Sequence, residues 1–456
     1  MSAENKLGLA IIFHPFEEGA GNAENLLEKG LKFLQECDAI IINAPALVSD
    51  HSSARSAGIF FKEHGVKAIL VFLATWSDDN LLLEMLAYHD VPVINWGFKS
   101  MNSGSLCGSH QFNMVLKELG KESYVLFEMT EETLACLNSI LKVLKKPRED
   151  VPIHENARVK EFIDKLKRLK IGIIGARTQG MMEVAYDEFS IKEVLGPSVL
   201  SFSLDYFKEM VNGIDETSAK EGIKTFKSTY PEIKVSVDDQ TLLKSISIQL
   251  ALGKLIEKHE LDGISIECYP RYMGKVCLGF SILAGSGVAV ACSCEGDVHA
   301  AILMWLMSEL SGSPTNDIDL LDVDLDENTI TGSHCGSCGF QLAGDNTIEL
   351  APVRLAGNGC SVLFPGKPGH VVLANLVGRK GTYRACILEG EAVPVDLVFP
   401  GNPVRIRLSK PVGNFLEKVG DHGFGHHWIV AYSAPDDDNY GFLIELLTTL
   451  GIKVVS

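Results

Sequence analysis

Two short acidic segments near the middle of the chain carry the residue types best suited to chemistry. Glu267 follows the β-like run 263–266 directly, and Glu295 and Asp297 follow a second apolar run, residues 288–292. Carboxylates at the ends of strands in an α/β protein point into the crevice where ligands bind. Two carboxylates that converge there indicate a divalent metal site, acid–base chemistry, or both.

Two histidine-containing turns are candidates to complete such a site. His334 lies in segment 331–336 (TGSHCG), and His426 and His427 lie in segment 423–428 (GFGHHW). A single histidine is more often a hydrogen-bonded structural group than a ligand, but glycine-rich turns allow close backbone approach. Glu, Asp and His together form an oxygen and nitrogen ligand set that suits manganese, cobalt or magnesium, and the imidazoles favour manganese over magnesium.

The eleven cysteines form an odd set in mostly apolar surroundings, so reduced and buried thiols are expected. Cys292, Cys294, Cys335 and Cys338 leave open an alternative, a structural zinc site of four thiolates. The acidic run 322–326 does not fit a calcium loop, because its later positions lack the required Gly and Glu. Alternation with apolar residues predicts a half-buried strand with solvated acids there.

Composition bounds the class of protein. A chain of 456 residues predicts two or three domains, and an apolar content of 46% supports sizeable cores. The net charge of -18 disfavours nucleic acid or an anionic membrane surface as a partner. The polar start has no signal-peptide pattern, and the apolar stretches are too short to span a bilayer. We therefore expect a soluble, cytoplasmic protein.

The order of strands and helices divides the chain into three sections. Residues 1–165 alternate short apolar strands with helices, residues 166–345 do so again and carry the acidic segments, and residues 346–456 are rich in Val, Gly and Pro with alternating runs. This pattern predicts an α/β fold of two doubly wound parallel-sheet domains followed by a C-terminal antiparallel β-barrel-like domain. The helix that begins after Asp297 is apolar on nearly every face, which predicts that it is buried.

The segment from Glu267 to His334 resembles the L-fucose isomerase and L-arabinose isomerase superfamily. Residues 290–304 look like the fucose isomerase stretch that contains an aspartate metal ligand, and residues 425–427 are similar to the paired-histidine motif of those chains. The resemblance implies Asp297 and His427 as metal ligands, beside Glu267, and it places His334 where arabinose isomerases carry a ligand. The segment 102–112, which contains His110, looks like a family loop that reaches a neighbouring subunit's active site. A homotrimer or homohexamer is implied.

The resemblance implies a metal-dependent aldose–ketose isomerase that acts on a monosaccharide of the L-fucose, D-arabinose or L-arabinose type. The open-chain sugar would bind Mn²⁺, with Co²⁺ or Mg²⁺ as alternatives, while Glu267 and Asp297 act as the acid–base pair and also contact the metal. We assign His110, Glu295 and His426 to substrate binding. Glu295 is open to a second interpretation as a helix-capping anion. The alternative function is a non-catalytic sugar-binding or regulatory protein of the same fold.

Overall fold

The computed structural model describes residues 6–99, 103–144, 156–285, 290–434 and 436–456. The chain forms two compact units, which divide after residue 156. None of the described helices is both long and apolar enough to cross a membrane.

The first unit is built on a five-stranded parallel sheet with the strand order β2-β1-β3-β4-β5. Its strands are β1 Lys6–Ile12, β2 Ile40–Asn43, β3 Ala68–Leu73, β4 Val93–Gly97 and β5 Ser123–Phe127. Its α-helices are α1 Ala23–Phe33, α2 His51–Glu63, α3 Asp79–Tyr88, α4 Ser105–Glu118 and α5 Glu131–Val143, with 3-10 turns at Ala20–Asn22 and Leu34–Glu36.

The central strands of this sheet are apolar because they are covered on both faces. Every residue of β3 is buried, as expected for a strand inside a doubly wound sheet. The helices begin at capping residues: the Asp50 carboxylate accepts a hydrogen bond of 2.7 Å from the backbone N–H of Ser53. The strand order reverses between β1 and β3, so a crevice opens at the carboxyl ends of these two strands.

The second unit begins with a four-stranded parallel sheet of order β10-β9-β6-β7. The strands of this part are β6 Lys170–Ile174, β7 Ser198–Phe202, β8 Lys234–Val235, β9 Gly263–Ile266 and β10 Ala291–Ser293. Its α-helices are α6 Ala157–Arg168, α7 Glu188–Ser190, α8 Leu204–Asn212, α9 Glu216–Thr229, α10 Asp239–His259, α11 Cys277–Gly285 and α12 Val298–Ser311, with short turns at Met182–Val184 and Ile191–Leu195. Helix α12 is buried along most of its length, which confirms the prediction.

The rest of the second unit is a closed barrel of six antiparallel strands. They follow one another around the barrel as β15, β18, β11, β12, β17 and β16, and β16 pairs again with β15. The strands of this part of the chain, within the barrel and beside it, are β11 Thr315–Asp324, β12 Thr329–Ser333, β13 Glu349–Ala351, β14 Ser361–Leu363, β15 Gly369–Arg379, β16 Thr382–Val393, β17 Val404–Leu408, β18 His427–Tyr432 and β19 Lys453–Val455. Its helices are α13 Val412–His422 and α14 Asn439–Thr449, with a 3-10 turn at Phe340–Leu342. Strand β19 joins β16 in parallel, and β8, β13 and β14 form a small separate sheet.

The predicted fold class is therefore confirmed: parallel sheets with helices, followed by an antiparallel barrel. The barrel includes β11 and β12, which precede residue 346 in the chain. The three-domain boundaries remain a prediction, but the barrel draws its first two strands from the section that carries the acidic segments.

Candidate functional site

Three neighbouring barrel strands place a carboxylate beside two histidines. Asp319 on β11 is the register partner of His427 on β18, and on its other side it pairs with Ser333 of β12. His334 follows Ser333 directly. Because side chains opposite each other on paired strands lie close together, Asp319 is flanked by imidazoles from both sides.

The imidazoles of this group converge on a single carboxylate oxygen. Asp319 Oδ1 lies 3.5 Å from Nε2 of His426, 3.6 Å from Nε2 of His427 and 4.0 Å from Nε2 of His334. This oxygen is buried, and within the described part of the chain it has no hydrogen-bond partner. A buried oxygen without a partner is costly unless another group satisfies it. The arrangement has the form of a cation site.

The loop between β10 and α12 brings two further carboxylates to His427. Asp297 Oδ2 lies 2.9 Å from Nδ1 of His427, while Glu295 Oε2 lies 3.1 Å from Nε2 of the same ring. Asp297 Oδ1 also accepts a hydrogen bond of 2.9 Å from the backbone N–H of Ala300, so Asp297 is the N-cap of α12. The carboxylates of Glu295 and Asp297 therefore hold opposite edges of one imidazole.

Backbone geometry explains how the two carboxylates reach the same ring. Glu295 has a φ of 64° and Gly296 has a φ of 75°, both in the left-handed region. This conformation costs a residue with a side chain on the order of 1–3 kcal/mol, and such strain concentrates at functional sites. Gly296 also permits a close approach, since a Cβ there would lie 2.5 Å from the carbonyl oxygen of Ala176.

Hydrogen bonds within the site favour the charged forms of His427, Glu295 and Asp297. Burial opposes protonation of His427, but its hydrogen bonds to Asp297 and Glu295 raise its pKa well above the usual value. Burial opposes ionisation of both carboxyls, yet the hydrogen bond from His427 lowers the pKa of each. Burial raises the pKa of the neighbouring Asp317, whose carboxylate oxygens have no hydrogen-bond partner among the described residues.

The donor atoms fit a divalent cation. Two overlapping groups have ligand atoms that all lie within 4.8 Å of one another: Glu295, His426 and His427 form one, and Asp319, His334 and His427 form the other. Imidazole nitrogens with carboxylate oxygens are the set expected for manganese or a similar metal. Neither group contains a thiol, so the described residues give no support to the alternative zinc site of four cysteines.

Three predicted site residues lie outside these groups: Asp297, whose carboxylate contacts His427 as described above, and Glu267 and His110. Glu267 is half-buried at the end of β9, where its Oε2 accepts a hydrogen bond of 3.0 Å from the backbone N–H of Ala176. The backbone N–H of Gly296 donates to the carbonyl of Ile266 at 3.0 Å, so Glu267 lies beside the loop that carries Glu295. His110 lies on α4 in the first unit, where its side chain is exposed; the start of its predicted loop, at residue 102, lies outside the described residues.

Sequence reasoning missed Asp317, Asp319 and Glu183, whose Oε1 contacts Nδ1 of His426. The acidic run that the sequence analysis examined starts at 322, and its acids are exposed as predicted, but the predicted half-burial is wrong because Leu321 and Leu325 are exposed as well. A register shift between Leu320 and Asp322 separates that exposed run from the start of β11. The available signal was the spacing of two between Asp317 and Asp319, which puts both on one face of a strand.

A cavity of about 280 Å³ adjoins the site. Its walls include Asp297, His427, Asn375, Glu183 and Arg379. Its volume is close to the lower end of the roughly 300–1,000 Å³ that small-molecule sites occupy. The site therefore combines residue groups that could hold a metal ion with an adjacent space of small-molecule size.

Sequence comparison with curated proteins finds relatives that are named as isomerases. No family model matches the chain. A sulfoquinovose isomerase of Priestia aryabhattai is 24% identical over 449 residues, which is 94% of this chain and 94% of that protein. A sulfoquinovose isomerase of Alkalicoccus urumqiensis is 24% identical over 379 residues, 80% of this chain and 81% of that protein. An L-arabinose isomerase of Shouchella clausii is 22% identical over 302 residues, 63% of this chain and 60% of that protein.

These relatives do not support the fucose isomerases specifically, so the resemblance holds only at a broader level. The matched proteins share one type of reaction and cover most of the chain. The chain is accordingly an enzyme of the sugar isomerase class, an intramolecular oxidoreductase.

Proposed function

We propose that the chain is a divalent-metal-dependent aldose–ketose isomerase whose substrate is sulfoquinovose or a closely related aldose. The observation that carries the proposal is the convergence of three imidazole Nε2 atoms on Asp319 Oδ1, with Glu295 beside the same His427. Simple sugar binding does not require a group of this kind. The names of the matched relatives favour sulfoquinovose over the L-fucose, D-arabinose and L-arabinose types that the sequence suggested.

We propose that Glu295 and His427 hold the metal, with Asp319, His334 and His426 completing the set of available ligands. When bound, Mn²⁺, or Co²⁺ or Mg²⁺ in its place, would polarise the substrate carbonyl and stabilise the negative charge of the enediolate. The oxygen and nitrogen donors of this group suit these ions better than they suit a metal that seeks thiolates.

Asp297 is proposed to position His427 rather than to bind the metal. Both of its oxygens are engaged, one by the N–H of Ala300 and one by Nδ1 of His427. A carboxylate that accepts the Nδ1 proton fixes the tautomer in which Nε2 is available for a metal. This role differs from the predicted role of Asp297 as a ligand and base, and it moves the ligand role to Glu295.

Glu267 is proposed to move the proton between C2 and C1 of the open-chain sugar. Its carboxylate is held by the N–H of Ala176, yet the side chain is only half-buried and so remains accessible to a substrate. A carboxylate is a weak base toward a carbon acid, so its position against the substrate must contribute much of the rate. The backbone at Gly175 has a φ of 83° and lies close to Glu267, where a Cβ would come within 2.9 Å of Oε2.

The predicted homotrimer or homohexamer and the role of His110 remain proposals of the same kind. An exposed histidine on α4 is able to contribute to a site only if another group approaches it. Sedimentation analysis of the protein would give the oligomeric state. A His110→Ala variant that raises KM without changing metal content would support a role in substrate binding.

The proposal is tested by metal analysis together with an assay of ketose formation. Protein stripped with a chelator is reloaded with Mn²⁺, Co²⁺ or Mg²⁺ and supplied with sulfoquinovose, L-fucose, D-arabinose or L-arabinose. We expect turnover only after reloading, fastest with sulfoquinovose, and none in the Glu295→Gln variant. Sugar binding with neither metal nor ketose formation would instead support the non-catalytic alternative. Turnover that persists without metal would contradict the proposed mechanism.

A further inference from the structure

The second unit contains another cavity, larger than the one beside the candidate site. Its volume is about 1100 Å³. Positively charged side chains from three segments line it, namely Lys208 of α8, Lys244 of α10, and Arg271 and Lys275 of the loop before α11. Among the described residues that line it, Asp205 is the one acid. We call it the basic cavity. In a chain with a net charge of -18, this local excess of positive charge creates a distinct field.

Each of the two helices presents to the basic cavity a face of mixed polarity that carries a lysine. On α8 the lining residues include Leu204, Lys208 and Val211, and on α10 they include Thr241, Lys244 and Ile248. These spacings of three and four residues place the residues of each helix on a single face. A face between two neighbouring helices is ordinarily apolar, because it packs. Here each helix presents a lysine at that position.

The basic side chains of the cavity lack ion-pair partners among the residues that the structure describes. Among the residues that the structure describes, none of Lys208, Lys244, Arg271 and Lys275 forms an ion pair with a carboxylate. Lys275 is nevertheless held in place, since its Nζ donates a hydrogen bond of 2.6 Å to the carbonyl of Arg271.

Helix α9 of the same unit offers a contrast. Its Lys220 and Lys224 lie 2.7 Å and 3.0 Å from the carboxylates of Glu216 and Glu221. The lysines of α9 thus form ion pairs on their own helix, whereas Lys208 and Lys244, which have Asp205 and Asp238 nearby, form no ion pair among the described residues.

We propose that the basic cavity binds a small organic anion that carries a phosphate or sulfonate group, at a site separate from the candidate metal site. Lys and Arg donors recognise such tetrahedral oxyanions through charge-assisted hydrogen bonds. The volume is comparable to the upper end of the roughly 300–1,000 Å³ that ligand sites occupy, which exceeds the need of an inorganic ion. The hydroxyls of Thr241, Ser245 and Ser247 and the apolar side chains of Val211 and Ile248 supply the remaining surface for an organic body.

Calorimetric titration of the whole chain tests this proposal. Glucose 6-phosphate, inorganic phosphate and inorganic sulfate are titrated separately, with glucose as the uncharged control, at low ionic strength and again with added salt. We expect glucose 6-phosphate to bind, glucose not to bind, and the affinity to fall with salt because exposed charges are screened. The phosphate and sulfate titrations compare the two candidate oxyanions.

Paired variants locate the site. Lys208→Gln combined with Lys244→Gln should weaken binding of glucose 6-phosphate by at least about tenfold. Lys220→Gln combined with Lys224→Gln removes the same charge from α9 and should leave binding unchanged. His427→Gln, which keeps a side-chain donor toward Asp297, should also leave it unchanged. No binding to the wild-type protein, binding by inorganic ions alone, equal loss in both lysine pairs, or loss only in a folded His427→Gln protein would each overturn the proposal.

Discussion

The two parallel sheets of this protein end in crevices with different chemistry. In the first unit, the residues after β1 and β3 form a hydrogen-bonded set: the N–H of His14 donates to Thr75 Oγ1 at 2.8 Å, and Trp76 Nε1 donates to Gln111 Oε1 at 2.7 Å. In the second unit, the strands end in Glu267 and in the Glu295 loop. The same architecture thus carries a crevice with a set of mostly uncharged hydrogen-bonded side chains beside Asp79 in one unit, and a crevice with several carboxylates in the other.

The difference shows what the barrel adds to the second sheet. Among the described residues, Glu295 at the end of β10 joins a potential ligand group only because β18 supplies His427, and β11 supplies Asp319 to a second such group. Among the described residues of the first unit, no strand outside the parallel sheet supplies such a partner. Fold class therefore does not determine function here, since the chemistry depends on the side chains that a neighbouring element contributes.

The largest expected effect comes from His427, the residue that belongs to both potential ligand groups. His427→Ala should abolish turnover and lower metal affinity by more than roughly 100-fold. Loss of a residue that only supports a metal ligand costs roughly 10–100-fold, and loss of a ligand itself should cost more. Metal analysis and titration with Mn²⁺ measure this. Gln111→Ala in the crevice of the first unit is the matched control and should keep the wild-type metal content.

Removal of His427 also leaves two buried carboxylates without their partner, which costs on the order of 3–5 kcal/mol and risks unfolding. His427→Gln keeps a side-chain donor toward Asp297, so it distinguishes loss of metal from loss of fold. Circular dichroism checks both variants. A folded His427→Gln protein that binds Mn²⁺ with wild-type affinity would rule out the proposed ligand.

A smaller effect separates the roles of Glu295 and Asp297. Asp297→Asn keeps an oxygen that can cap α12 but loses the carboxylate that accepts from His427, so metal affinity should fall about 10–100-fold with the fold retained. Glu295→Gln removes a proposed ligand and should reduce affinity further. Mn²⁺ titration of both variants gives the order. If Asp297→Asn proves the more damaging change, Asp297 is the ligand, as the sequence alone suggested.

A matched pair of glycines extends the comparison to the backbone. Gly296 and Gly104 both have positive φ, 75° and 66°, and a Cβ would lie 2.5 Å from Ala176 O in one case and 2.9 Å from Trp76 Cβ in the other. Alanine at either position should destabilise the protein by about 1–3 kcal/mol. Only Gly296→Ala should also weaken metal binding, because it displaces the Glu295 loop.

Urea denaturation together with Mn²⁺ titration measures both effects. Gly253→Ala is the control: it lies inside α10, where a Cβ would meet nothing within 4 Å, and should be neutral or stabilising by up to about 1 kcal/mol. Equal loss of metal affinity in Gly104→Ala and Gly296→Ala would show that the effect is general instability.

The sheets and the barrel were predictable because their strands have strong local patterns. The short buried strands of both parallel sheets are nearly all apolar, and the late strands alternate. The partnership of Asp297 with His427 was suggested only by the resemblance, since the two residues are 130 positions apart and meet through tertiary packing.

The parts that sequence did not predict depend on irregular backbone. Because of the register shift after Leu320, the alternation of the exposed acidic run that follows does not predict that Asp319 faces the histidines. The positive φ of Glu295 turns its carboxylate toward His427, and no pattern of residue types indicates a left-handed glutamate. The assignment of ligand and positioning residue therefore required the structure.

The smallest expected effect concerns the hydrogen-bonded crevice of the first unit. Gln111 accepts from Trp76 and donates to Asp79 Oδ2 at 3.1 Å. Gln111→Leu should cost about 1–3 kcal/mol, because it removes two hydrogen bonds and leaves Trp76 Nε1 unpaired. Metal content should not change, because the residues that form the cation group all lie in the second unit. Urea denaturation measures the change in the free energy of unfolding. A loss of metal in this variant would contradict the expectation that side chains of the first unit do not affect metal binding.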